Sequence, residues 1–189
     1  MARYMWFLLM GACLACLGLI VYGVFNYEDG GMLKVCRGSI GQAVYSDAVE
    51  CKEICWASPL PLKVVMRSGG DAERVILKRA IGWYNSQLGG KVLAYDKSKN
   101  GAIEVWFSQS SPGPQTTHWL NIDNGCVDLV SIYVINVPLV DQQQLFIEHE
   151  LGRALGLADD RAMNSVMNPV PGKVLFDDDI ERLRKAFRL

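Results

Sequence analysis

Apolar residues along this chain come in three arrangements: one unbroken block near the N-terminus, short β-branched blocks in the middle, and helical stripes in the second half. Each spacing predicts a different element. Leu60 to Arg67 (LPLKVVMR) reads as a strand closed by Ser68-Gly69-Gly70. Asp71 then reads as the N-cap of a helix to about Leu88, with Ala72, Val75, Ile76, Ala80 and Trp83 as its apolar stripe and Gly89-Gly90 as its stop. Lys91 to Asp96 and Ala102 to Phe107 (AIEVWF) read as two strands around the turn KSKNG, and SQSSPGPQTT reads as a loop. Val127 to Asn136 is apolar enough for one strand, or for two short ones around Ser131. Asp141 and Gln144 suggest a capping box for a helix reaching about Leu157. A final helix is expected from about Asp177, where Asp178 and Asp179 suit its positive end and Ile180, Leu183 and Phe187 form a stripe. The order strand, helix, three or four strands, helix, loop, helix predicts an α+β domain.

The first block, Met5 to Phe25, carries no charge and is long enough to cross about 30 Å of hydrocarbon as a helix. It ends in VFNYEDG without a small-residue cleavage pattern, so an uncleaved anchor is the expectation. A cleaved signal peptide, or a lipoprotein modified at Cys13, is the alternative. Arg3 before the block, with Glu28 and Asp29 after it, places the N-terminus inside and the remainder outside the cytosol. The chain therefore divides into an anchor over 1–25, a juxtamembrane linker over 26–58 and a folded domain over 59–189. Half of the 189 residues are hydrophobic and the net charge is −1, enough for a real core and too little positive charge for a nucleic-acid partner.

Outside the anchor, Cys36, Cys51, Cys55 and Cys126 form an even set in what should be an oxidising compartment. Two disulfides are expected, with three pairings open; Cys36 with Cys51 and Cys55 with Cys126 is the preferred one. The spacing of Cys51 and Cys55 also matches half of a zinc knuckle, but no second pair completes it.

Chemistry concentrates in Ile147 to Asp160, IEHELGRALGLADD. His149 and residue 153 share a helix face, where two imidazoles would hold one Zn²⁺ while Glu150 activated its bound water. Gly156 would turn the chain so that Asp159 returns as an oxygen ligand. The run His149 to Asp159 resembles the elongated zinc motif of the metzincin metalloproteases, closest to the matrixin branch. SVMNP (Ser165 to Pro169) resembles their Met-turn, in which Met167 would floor the metal. DDDIERLRKAF, WASPLPLKVV and AIGWYN resemble the last helix, opening strand and first helix of that family, so the likeness spans roughly Trp56 to Leu189.

The resemblance implies a mixed twisted sheet with an active-site helix and a C-terminal helix. It also implies a zinc cofactor held by His149 and Asp159, Glu150 as general base, and peptide-bond hydrolysis. Asp159 departs mildly, since small bacterial members carry aspartate there. Arg153 departs severely. It stands where the second histidine belongs, has no lone pair for a metal, and at 4 Å would repel Zn²⁺ by roughly 8 kcal/mol at an effective dielectric near 20. Arginine can instead stand in for the metal's charge by pairing with Glu150 or Asp159.

Plainer roles exist for each residue. His149 could be a half-buried histidine with one backbone partner, Glu150 a solvated helix residue, Asp159 a turn cap or a partner of Arg161, and Met167 core filler. His118, the only other histidine, is the candidate substitute ligand. Three functions follow as expectations: a membrane-anchored metalloendopeptidase of impaired activity, a pseudoprotease that binds peptides or proteins in the old cleft with AIEVWF as its edge strand, or a structural lobe of a membrane assembly.

Overall fold

The structure is a computed structural model that describes residues 34–36, 51–53, 55–98, 100–108, 115–120, 126–135, 137, 139–168 and 170–189. The Met5 to Phe25 block lies outside them; among the described residues no helix is long and apolar enough to cross a membrane. The elements are β1 (Lys34–Cys36), β2 (Cys51–Glu53), β3 (Leu62–Met66), α1 (Asp71–Leu88), β4 (Leu93–Asp96), β5 (Ile103–Ser108), β6 (Gln115–Leu120), β7 (Val127–Ile135), α2 (Val140–Leu155) and α3 (Asp177–Phe187). The fold is α+β.

One five-stranded sheet has the order β4-β3-β5-β7-β6; β3, β4, β5 and β7 run parallel, and only β6 is antiparallel to its neighbour. Alternation along β5 and β7 buries Ile103, Val105 and Phe107 with Val130, Ile132 and Val134, the face on which the helices lie. Helices α1 and α2 pack side by side there, α1 against β4 and α2 beneath β6 and β7, while α3 closes against α1. β1 and β2 form a separate antiparallel pair whose register sets Cys36 opposite Cys51.

Several sequence expectations change. The N-cap of α1 is Gly70, whose N–H donates to Glu73 Oε2 at 2.9 Å, so Asp71 is already in the first turn and pairs with Arg74. The buried stripe of α1 is Ile76, Leu77, Ala80, Ile81, Tyr84 and Leu88, turned by about one residue from the expected one; Val75 is exposed. Parallel strands above and α2 beside it select that face, and neither is visible in local periodicity. The Asp141/Gln144 capping box does not form. The cap falls two residues earlier, at Leu139, without a side-chain hydrogen bond, and Gln144 bonds Glu148 instead. Val127–Ile135 is one continuous strand. The end of the expected loop SQSSPGPQTT enters β6, and β5, expected at the edge, lies at the centre with neighbours on both sides.

Residues Cys55 to Ala57 join the sheet beyond the start of β5. Trp56 bridges Val127, Val127 N–H donates to Cys55 O at 2.7 Å, and Ala57 N–H donates to Val127 O at 2.8 Å. A disulfide joins Cys55 to Cys126 at the same place.

Candidate functional site

The second half of α2 carries the site because its inward face is packed along its whole length: Ile147, Leu151, Ala154 and Leu155 are buried in the common core. Gly152 lies among them. A Cβ there would meet Met167 Sδ at 2.4 Å and Tyr84 Oη at 2.5 Å, so only glycine lets the methionine and the tyrosine press against the helix backbone. Tyr84, fully buried on α1, donates its hydroxyl to Glu148 O at 2.8 Å, and burial pushes that phenol well above its ordinary range.

Gly156 ends α2 in the left-handed region at φ 105°, and Leu157 N–H returns to Gly152 O at 2.9 Å. The chain then doubles back so that Asp160 N–H donates to Met167 O at 2.8 Å. Ser165 organises the turn that follows: its Oγ accepts Met167 N–H at 3.0 Å, and its carbonyl accepts Gly172 N–H at 2.8 Å and Asn168 N–H at 3.1 Å. Within this turn Val166 O lies 2.9 Å from His149 Nδ1. A carbonyl only accepts, so Nδ1 carries the hydrogen and Nε2 faces the other way.

What Nε2 faces is acidic. Asp159 Oδ1 lies 3.7 Å away and Glu150 Oε1 3.9 Å. Arg153 Nε, one turn along the helix from His149, lies 3.7 Å from the same Asp159 oxygen. The side chains of Arg153 and Asp159 are 30% and 21% exposed, so this pair is partly screened by solvent. Asp159 Oδ1 itself is buried and has no hydrogen-bond partner. Glu150 is 1% exposed, and the hydroxyl of Thr116 on β6 bonds to its Oε2. Burial pushes the Glu150 carboxyl above its ordinary range, against the pull of that bond and of the charges on His149 and Arg153.

The five residues singled out in the motif are therefore brought together: His149, Glu150, Arg153 and Asp159 in one cluster, with Met167 packed behind it at Gly152. His118 is a β6 residue paired in register with Val130, and its side chain lies outside the described residues, as do the sulfurs of Cys36 and Cys51. Sequence reading missed Thr116, Tyr84 and the Val166 carbonyl. Thr116 was hidden in a stretch whose prolines, serines and glycine read as loop, although the run Thr-Thr-His-Trp-Leu that it begins has strand character.

The donor set decides whether zinc fits. His149 Nε2 and Asp159 Oδ1 are suitable donors at a workable separation, and the orphaned oxygen invites a cation. The third place is filled by a guanidinium, which has no lone pair and already supplies positive charge to that oxygen. Among the described residues no group of three His, Cys, Asp or Glu side chains converges as a metal site would require. Among the described residues His149 and Asp159 therefore offer zinc two donors, and Arg153 cannot supply a third. Comparison with known proteins adds no assignment: no family model matches this chain, and no curated protein matches it.

Proposed function

We propose that this chain is a matrixin-like domain of the metzincin type in which an internal ion pair has replaced the zinc ion, so that it binds an extended peptide or protein segment without cutting it. The domain would be held outside the cytosol by the apolar N-terminal block. The observation that carries the reading is the Arg153–Asp159 pair across the Gly156 turn, which puts a fixed cation beside His149. The remaining features that the resemblance implies stay in register around it: Gly156 at the turn, Asp159 returning, Met167 behind the helix. The segment for a partner is β6 rather than β5, because among the described residues β6 has a neighbouring strand on one side only and lies over the site helix. A strand with a free edge can accept another by backbone hydrogen bonding, with alternate side chains setting preference.

A working zinc peptidase is the second reading, and it draws on the unpartnered Asp159 oxygen facing His149 Nε2. Elemental analysis and a cleavage assay on purified protein separate the two. The expected result is well under one zinc per chain and no cleavage of a general peptide substrate, with binding recovered from a displayed peptide library. Arg153→His should raise zinc affinity by orders of magnitude, since one donor is gained and a cation removed. Stoichiometric zinc in the unaltered protein, with cleavage abolished by a chelator, would overturn the proposal.

A further inference from the structure

An edge strand is secured by one ladder only, and among the described residues β6 has its ladder to β7 alone. Within the same residues it also has a side-chain tie. Thr116, opposite Ile132 on the helix side of the sheet, bonds through Oγ1 to Glu150 Oε2 and lies 3.3 Å from Glu150 O. The carboxylate reached in this way is almost without solvent contact. A general base needs a proton within hydrogen-bond reach, whereas one oxygen of this buried group is taken by a hydroxyl of the neighbouring strand. We propose that Glu150 acts in this chain as the acceptor that fastens β6 to α2, with Thr116 as the positioning residue on the strand, and that the tie fixes where the free edge stands relative to the His149 cluster. Its consequence for partner binding rests on the peptide-cleft reading; the tie itself does not.

The two roles make different demands on residue 150. A base needs a carboxylate's proton affinity, but an anchor needs only an oxygen that accepts the Thr116 hydroxyl, which glutamine also offers. Hydrogen exchange of the Gln115–Leu120 amides in the full chain, without any peptide, therefore reads the tie. Thr116→Val and Glu150→Ala should each speed exchange across β6 by about tenfold or more, while Thr116→Ser and Glu150→Gln stay close to the parent. The α1 amides around Ile76 to Tyr84 serve as the reference, and their unchanged exchange shows an intact fold. If Glu150→Ala also exposes α1, the near-isosteric Thr116→Val decides alone. Unchanged β6 exchange in Thr116→Val, or Glu150→Gln as disruptive as Glu150→Ala, would sink the proposal. No peptide captured by the parent chain, with the exchange pattern as expected, would instead remove the peptide-cleft reading and leave the tie standing.

Discussion

The two long helices end alike and continue differently. Both stop at a left-handed glycine, Gly89 at φ 68° after α1 and Gly156 at φ 105° after α2. Beyond α1 the contacts are hydrogen bonds of ordinary length. Asn85 Oδ1 accepts Val92 and Leu93 N–H at 2.9 Å each, its amide donates to Leu93 O at 2.9 Å, and Arg184 of α3 donates to Leu88 O at 3.1 Å. Beyond α2 the groups are charged, spaced at 3.7–3.9 Å, and leave one buried oxygen without a hydrogen bond. The first junction holds the fold. The second spends stability on an arrangement that local packing does not demand, as sites do.

The sharpest way to break this contrast is to add one methyl group to each helix. Gly152→Ala should cost about 3 kcal/mol, because its Cβ meets Met167 Sδ and Tyr84 Oη well inside contact distance and the Tyr84 hydrogen bond must give way. Gly82→Ala, exposed on α1 with nothing near its Cβ, should instead stabilise by about 0.5–1 kcal/mol. Urea unfolding of both variants tests this, and equal signs would undo the contrast. A smaller effect should separate the junctions themselves. Asn85→Ala should cost about 2 kcal/mol, since it strips partners from two backbone N–H groups. Asp159→Asn should stay within about 1 kcal/mol, because its ion pair is part-exposed and long.

The smallest effect concerns pH. Burial holds the Asp179 carboxyl above its ordinary range, with Arg182 opposing and Asp160 adding to the rise. The folded chain therefore takes up that proton more readily than the unfolded one. The stability it supplies is complete below about pH 4, the ordinary carboxylate range, and is lost as pH rises through the raised value. Asp179→Asn should flatten the decline in stability between about pH 4 and neutrality. A steeper decline in thermal unfolding across that window would count against it.

Legibility followed the range of the interaction. α3 and the cluster of His149, Glu150, Arg153, Asp159 and Met167 were readable because helix spacing, a turn glycine and a short return loop are local facts. The face of α1, the central place of β5 and the existence of β6 were not. Each depends on which distant strand sits alongside: β5 pairs with β3 and β7, and β6 is defined by its ladder to β7 rather than by its own composition. Gly152 was readable only as a glycine tolerated in a helix; its reason, the closeness of Met167 and Tyr84, needs three segments at once. Thr116 was lost for the same cause, since a hydroxyl becomes part of a site only when its strand is laid over α2.

The bond between Cys55 and Cys126 also makes the domain mechanically unequal. It spans a sequence separation of 71 and encloses β3, α1, β4, β5 and β6, while β7, α2, the Met167 turn and α3 lie outside it. Tension applied at the two ends of the chain passes through the sulfurs directly into β7 and bypasses everything enclosed. Roughly 230–250 Å of contour length is hidden from stretching while the bond is intact. β7, α2, the Met167 turn and α3 lie outside that loop, so among the described elements it is these, the charged cluster included, that a pull along the chain reaches.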